Sequence, residues 1–121
     1  MKGAYILLIR LDAGREIRIG GLGVIRFKRG YYAYAGSAMG GIYHRIIRHL
    51  SDDKKMRWHI DYFLKEGKIV EVRCFPSDVK EECRIAAVYQ RRFESIPGFG
   101  CGDCRCKSHL FYSARLSDLR P

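Results

Sequence analysis

No asparagine occurs in the chain, and glutamine occurs once, at Gln90. Side-chain amides are thermolabile, and their scarcity beside a charged fraction of 30% is the composition expected of a protein that works hot. Long hydrophobic runs are missing too, and no stretch approaches the roughly eighteen apolar residues of a membrane helix. The N-terminus enters a strand pattern directly, without the layered layout of a signal peptide. A soluble, cytoplasmic protein with no membrane partner is expected. Repeats, low-complexity tracts and linkers are absent, and 121 residues suffice for one core but not two, so residues 1–121 are read as a single domain.

Acidic side chains are the next scarcity. The chain carries 13 Asp and Glu against 23 Lys and Arg, a formal net charge of +10. Residues 1–50 hold nine basic and two acidic side chains, a balance of +7, whereas residues 51–121 hold fourteen and eleven, a balance of +3. Such a field attracts polyanions, and nucleic acid is the usual partner. A solubilising charge excess is the plain alternative.

Residues 4–11 form a nearly continuous apolar run closed by Asp12-Ala13-Gly14, the pattern of a buried central strand. Short strands follow at Glu16–Ile19, Val24–Lys28 and Tyr31–Ser37, separated by the Gly20-Gly21 and Arg29-Gly30 turns, with the alternation and spacing of antiparallel hairpins. Met39-Gly40-Gly41 breaks the pattern before a helix over 42–51. At helical spacing Ile42, Tyr43, Ile46, Ile47 and Leu50 make the side expected to pack, and His44, Arg45, Arg48 and His49 the side expected to face out. A short helix over 58–65, a strand over 69–74 and a helix from Asp78 to about Phe93 come next. Asp78 and Glu81 are spaced as an acidic capping box for that last helix. Val79, Cys83, Ala86, Ala87 and Phe93 form its expected buried stripe. The segment 97–109 is Gly- and Cys-rich, and His109–Tyr112 reads as an edge strand.

Cutting a phosphodiester needs an in-line nucleophile, usually water, and charge to stabilise the negative charge that builds on the phosphate. Tyr5 and Tyr34 offer hydroxyls for the water, Arg45 and His49 offer charge for the phosphate, and Glu82 offers an oxygen for Mg²⁺ or Mn²⁺, which needs little more from a protein. Glu81 competes with Glu82 within one turn, but Glu82 borders the expected buried stripe at Cys83. Arg48, Tyr32 and Ser37 are the nucleic-acid contacts expected around this centre. For Arg48 a solvated face residue, and for Tyr32 plain packing, are the bland readings. Asp61 and His59 read as a helix-start cap and a core-flanking imidazole.

The chain carries Gly30-Tyr31-Tyr32-Ala33-Tyr34-Ala35-Gly36-Ser37-Ala38, then Arg48-His49, then Trp58-His59-Ile60-Asp61-Tyr62, then Phe99-Gly100-Cys101-Gly102-Asp103-Cys104-Arg105-Cys106. In these ordered motifs it resembles the GIY-YIG nuclease superfamily, and most of all its compact Uri-type branch. The resemblance implies an α/β (α+β) fold, a small mixed and mainly antiparallel sheet flanked by helices, and hydrolysis assisted by one divalent metal. It also implies that Tyr5 acts as general base or orients the water, that Tyr34 assists, that Arg45 stabilises phosphate and that Glu82 holds the metal. Three departures stand out. The 29 positions from Tyr5 to Tyr34 require an inserted hairpin. A second glycine, Gly41, moves Arg45 one place along and is expected to sit before the helix. No Asn stands near the C-terminus, so Ser108 or His109 is expected in that place.

Cys101, Cys104, Cys106 and His109 supply three thiols and an imidazole, a donor set for structural Zn²⁺. Reduced structural cysteines, or a disulfide using Cys74 or Cys83, are the other readings of the cysteines. The expected function is a metal-dependent DNA endonuclease in repair or processing, with the preferred nucleic-acid structure left open and a second copy of the chain in a homodimer, or a repair protein, as the protein partner. The alternative is a nucleic-acid-binding module whose chemistry has lapsed.

Overall fold

The computed structural model describes residues 1–102 and 104–121; Asp103 of the Cys-rich stretch lies outside them. At its centre is β1 (Gly3–Leu11), flanked by β4 (Gly30–Ala38) and β5 (Lys68–Pro76), and the sheet continues through β7 (Leu110–Ser113) to β6 (Glu94–Ser95). All these pairings are antiparallel, and the small α+β fold with a mainly antiparallel sheet flanked by helices is the one expected; both neighbours of β1 run against it. The expected edge strand near the C-terminus is interior, because the two-residue β6 covers it.

The apolar run of β1 is continuous because both faces of the strand are buried. Tyr5, Leu7, Ile9 and Leu11 point into one core, and Ile6 and Leu8 into the other. Each such aliphatic side chain contributes about 1.5–3 kcal/mol on burial. The inserted hairpin, β2 (Arg15–Arg18) and β3 (Val24–Phe27), forms a separate two-stranded sheet that delivers Ile17, Ile19 and Phe27 to the first core. That core is closed by α1 (Ile42–Leu50) and α2 (His59–Phe63). The second core is closed by α3 (Glu82–Gln90) through Ala86 and Tyr89, and by α4 (Leu116–Leu119) through Leu119.

Two expectations about helices are corrected. The packing side of α1 is rotated: Ile42 and His49 are buried and Arg45 and Arg48 half-buried, while Tyr43 and Ile47 are 65% exposed and Leu50 59%. The basic side faces inward because β1, β4 and α2 supply it with partners. Helix α3 starts later than the capping pattern implies. Asp78 reaches Lys2 at 3.8 Å and is almost wholly exposed, and Glu81 pairs with Arg84, so neither caps the helix. Val79, placed in the buried stripe by periodicity, is exposed, and so is Ala87. Among the described residues no helix is long and apolar enough to cross a membrane.

Candidate functional site

Cross-strand register sets the two tyrosines. Tyr5 pairs with Gly36 and Leu7 with Tyr34, so both tyrosines project from the same face of neighbouring strands, with ring centroids 6.5 Å apart. The Tyr5 ring lies across Gly36, where a Cβ would stand 2.4 Å from Cζ; glycine at this position is the seat of the ring. The Tyr5 hydroxyl shares a hydrogen bond of 2.6 Å with His49 Nε2. Burial pushes the Tyr5 hydroxyl up to about 12, against the pull of the Arg45 cation. Burial, reinforced by the Lys54 ammonium, pushes His49 down to about 4. At neutral pH the pair is an uncharged phenol and an uncharged imidazole. Burial raises the Tyr34 hydroxyl as well.

Two arginines one helical turn apart have different employment. The Arg48 guanidinium grips Asp61 bidentately at 2.8 and 3.0 Å and donates to the Lys55 carbonyl at 2.8 Å. Asp61 is fully buried and also accepts from the Arg57 and Trp58 backbone N–H groups at 2.9 and 3.0 Å. Burial alone would raise this carboxyl, but the Arg48 and backbone hydrogen bonds outweigh it and hold the group below its ordinary value. Arg45 donates to the Ser37 carbonyl at 2.9 Å and lies 4.4 Å from the Trp58 ring centroid. A guanidinium has five N–H donors, so most of its hydrogen-bonding capacity is left for a ligand.

An open cleft of about 710 Å³ runs from this wall to α3, and Tyr34, Ser37, Arg45, Trp58, Lys80 and Glu82 line it. Glu82 stands in the first turn of α3 with its Oε2 buried and unpartnered. Ser37 Oγ and His49 Nδ1 are also buried without partners. Buried polar atoms in native proteins are nearly always satisfied, and two of these, Glu82 Oε2 and Ser37 Oγ, belong to residues that line the cleft, whereas His49 and Gln90, which also holds a buried unpartnered oxygen, do not line it. A carboxylate oxygen of this kind suits a hard cation such as Mg²⁺.

The same cleft is closed at its far end by a Cys₃His group. The donor atoms of Cys83, Cys104, Cys106 and His109 all lie within 4.8 Å of one another, and the group can hold a metal ion. His109 Nδ1–H donates to the Ala35 carbonyl at 3.0 Å, which leaves the Nε2 lone pair facing Cys104 Sγ at 3.2 Å and Cys83 Sγ at 3.9 Å. Burial and the neighbouring sulfurs push the Cys83 thiol up, so this thiol keeps its proton at neutral pH. All five cysteines are free.

Of the residues expected from sequence, Tyr34, Ser37, Arg45 and Glu82 line one cleft, whereas Tyr5 and His49 are buried and paired with each other, and His49, uncharged at neutral pH, does not offer the phosphate the charge expected of it. Tyr32 does not line the cleft either: its ring is buried against Phe27, Phe63 and Tyr112, and its hydroxyl donates to the Lys28 carbonyl at 2.6 Å. Arg48 is held by Asp61 rather than offered to a ligand. Cys101 falls outside the Cys₃His group, since Gly98 and Gly100, both at positive φ, turn the chain and Cys101 Sγ donates to the Phe99 carbonyl. Cys83 takes its place. Ser108 closes a local turn with Leu110, which commits its hydroxyl. Sequence reasoning also missed Trp58 as a platform for both arginines, although its aromatic face beside two cations was a signal.

Residues 4–120 match the family described as Domain of unknown function DUF123. No curated protein and no solved structure matches the chain.

Proposed function

The chain belongs to the DUF123 family, and from the cleft just described we propose that it is a divalent-metal-dependent endonuclease that hydrolyses phosphodiester bonds in DNA, as its resemblance to GIY-YIG nucleases implies. One observation carries the proposal: Glu82, whose Oε2 is buried without a partner, lines a single cleft with Arg45 and Tyr34. A net charge of +10 supports a polyanionic substrate.

Glu82 is the residue that would hold Mg²⁺ or Mn²⁺, and Glu81 is not, being paired with Arg84. When bound, the ion supplies positive charge at the phosphate and helps make a nucleophile available near neutral pH. Arg45, fixed by Ser37 and Trp58, donates to the phosphate oxygens and stabilises the charge that develops there. Tyr5 holds its proton at neutral pH and is not a standing base; its hydroxyl is paired with His49 in the interior, so the pair supports Tyr34 and Arg45 from behind. Tyr34, which lines the cleft, carries a second neutral hydroxyl. Trp58 shapes the cleft wall and offers an aromatic face to a base or sugar. The Cys₃His group, with soft thiolate and imidazole donors, suits structural Zn²⁺ and not the hard catalytic ion.

The test is cleavage of end-labelled duplex, single-stranded, flap and four-way DNA with Mg²⁺ or Mn²⁺, using wild type, Arg45→Ala and Glu82→Ala. Cutting by wild type that both variants lose is the expected result. Salt-sensitive binding without cutting on any substrate would replace the nuclease with a lapsed binding module.

A further inference from the structure

The start of α3 is poorly anchored by everything except its thiol. Its N-cap residue, Glu81, makes no side-chain cap bond, and the preceding Asp78 and Val79 are exposed. The buried anchors of the helix, Ala86 and Tyr89, lie beyond its first turn. In that first turn Cys83, next to Glu82, turns toward Cys104, Cys106 and His109.

We propose that Cys83, Cys104, Cys106 and His109 form a tetrahedral zinc centre that pins the first turn of α3 to β4, and so sets Glu82 in place across the cleft from Arg45. Three features fit a closed centre for a soft cation. First, the donor set is three thiols and one imidazole. With zinc–sulfur bonds of about 2.3 Å and zinc–nitrogen bonds of about 2.0 Å, tetrahedral geometry places sulfur and nitrogen about 3.5 Å apart. The S···N separations to His109 of 3.2 and 3.9 Å bracket that value. Second, His109 is buried and donates its other ring nitrogen to a backbone carbonyl, the arrangement that fixes tautomer and orientation in metal-ligating histidines. Third, the carbonyl belongs to Ala35, whose own N–H donates to the His109 carbonyl at 3.0 Å. The centre is therefore bolted to β4 beside Tyr34. Cys83 is then a positioning residue, acting through Glu82.

The positioning role rests on Glu82 being the Mg²⁺ carboxylate; the zinc centre does not. The experiment measures zinc content of the purified full chain, the absorption of its Co²⁺-substituted form, and Mn²⁺ binding by electron paramagnetic resonance. Wild type, Cys104→Ser, Cys106→Ser, Cys101→Ser and Glu82→Gln are compared, with circular dichroism as the check on folding. Wild type and Cys101→Ser should carry about one zinc per chain and show intense thiolate-to-cobalt bands. Cys104→Ser and Cys106→Ser should keep their helical signal but lose zinc, and their Mn²⁺ affinity should fall by about tenfold or more. Glu82→Gln should keep zinc and lose Mn²⁺ binding. Wild type without zinc and without cobalt bands would overturn the centre. Unchanged Mn²⁺ affinity in zinc-free variants would overturn the positioning role and leave the centre standing. Absence of Mn²⁺ binding in zinc-loaded wild type would remove the positioning role together with the nuclease reading of Glu82, while the zinc content still stood.

Discussion

On the α1–α2 wall of the cleft, Asp61 is buried under two Arg48 N–H groups and two backbone N–H groups, and the Tyr5 hydroxyl meets His49. On the α3 wall Glu82 Oε2 has no partner, and three thiols crowd an imidazole. One wall is assembled by the protein's own charges and stands without a ligand. The other gathers three thiols, an imidazole and a carboxylate with few partners within the protein, whereas on the first wall His49 Nδ1 is the exception among paired groups. Carboxylates of the same chemical type are therefore placed differently: Asp61 holds structure together, and Glu82 has a buried oxygen that no group of the protein satisfies.

Breaking the self-sufficient wall should have the largest effect. Asp61→Ala strands a half-buried Arg48 and frees the start of α2, and unfolding in urea should show a loss of about 3–5 kcal/mol. The sign with pH follows from a carboxyl held below its ordinary value of 3.8: its stabilisation is present above that value and is lost as pH falls through the lower folded-state value. Equal stability of the variant and wild type would erase the distinction between the walls.

Breaking the other wall should leave the fold intact and remove function. Glu82→Gln should lower the cleavage rate by about 10²–10³-fold, with an unfolding free energy equal to or above that of wild type, since an unpartnered buried carboxylate is neutralised. A large loss of stability would show Glu82 to be a structural residue after all.

His49 sharpens the comparison, because it is a polar group that the self-sufficient wall holds at a cost. Around it lie Lys54, Arg45, Arg48, Asp61, Tyr5 and Tyr34. Its value in the folded state, about 4, is below the 6.5 of the unfolded chain, so between these values the unfolded chain binds the extra proton and stability falls as pH falls. The loss should reach about 3 kcal/mol across that window. His49→Gln should flatten the slope between pH 4 and 6.5 in a pH series of urea melts. An unaltered slope would assign it to another group.

The smallest effect belongs to Glu81→Ala. Its exposed pairing with Arg84 is a surface ion pair, so stability should move by less than about 1 kcal/mol and cleavage hardly at all. Cleavage lost with Glu81→Ala but kept with Glu82→Gln would exchange the two assignments.

The strands were legible because the physics that makes them is local. The run in β1 has no polar face, since both its faces are covered, and the turns of the inserted hairpin carry their glycines in plain view. Helix α1 was legible as a helix and illegible in orientation. Arg45, Arg48 and His49 look like solvent-facing residues until Ser37, Asp61 and Tyr5, drawn from three other elements, supply their partners. Binary patterning fails where a polar site is built inside the fold. The thiol group shows the same limit: Cys104, Cys106 and His109 sit close in sequence, but Cys83 reaches them only through the packing of α3. Strand β6 has two residues and α4 four, too few for any period to register.

Strand β1 precedes all of its partners in the chain and is the most completely enclosed element: its edges are taken by β4 and β5, and its faces by two cores. None of those partners is adjacent in sequence, since a whole hairpin intervenes before β4, and two helices more before β5. Loop-closure entropy must be met before these pairings stabilise anything, so the sheet forms late and slowly, while β2 and β3 can close on their own within microseconds. β4 is complete at Ala38, but until Pro76 has left the ribosome the β5 edge of the most apolar segment of the chain stays open to any other such edge. Its hazard period is set by translation speed, and a holdase that covers extended apolar strands is the cellular help this topology calls for.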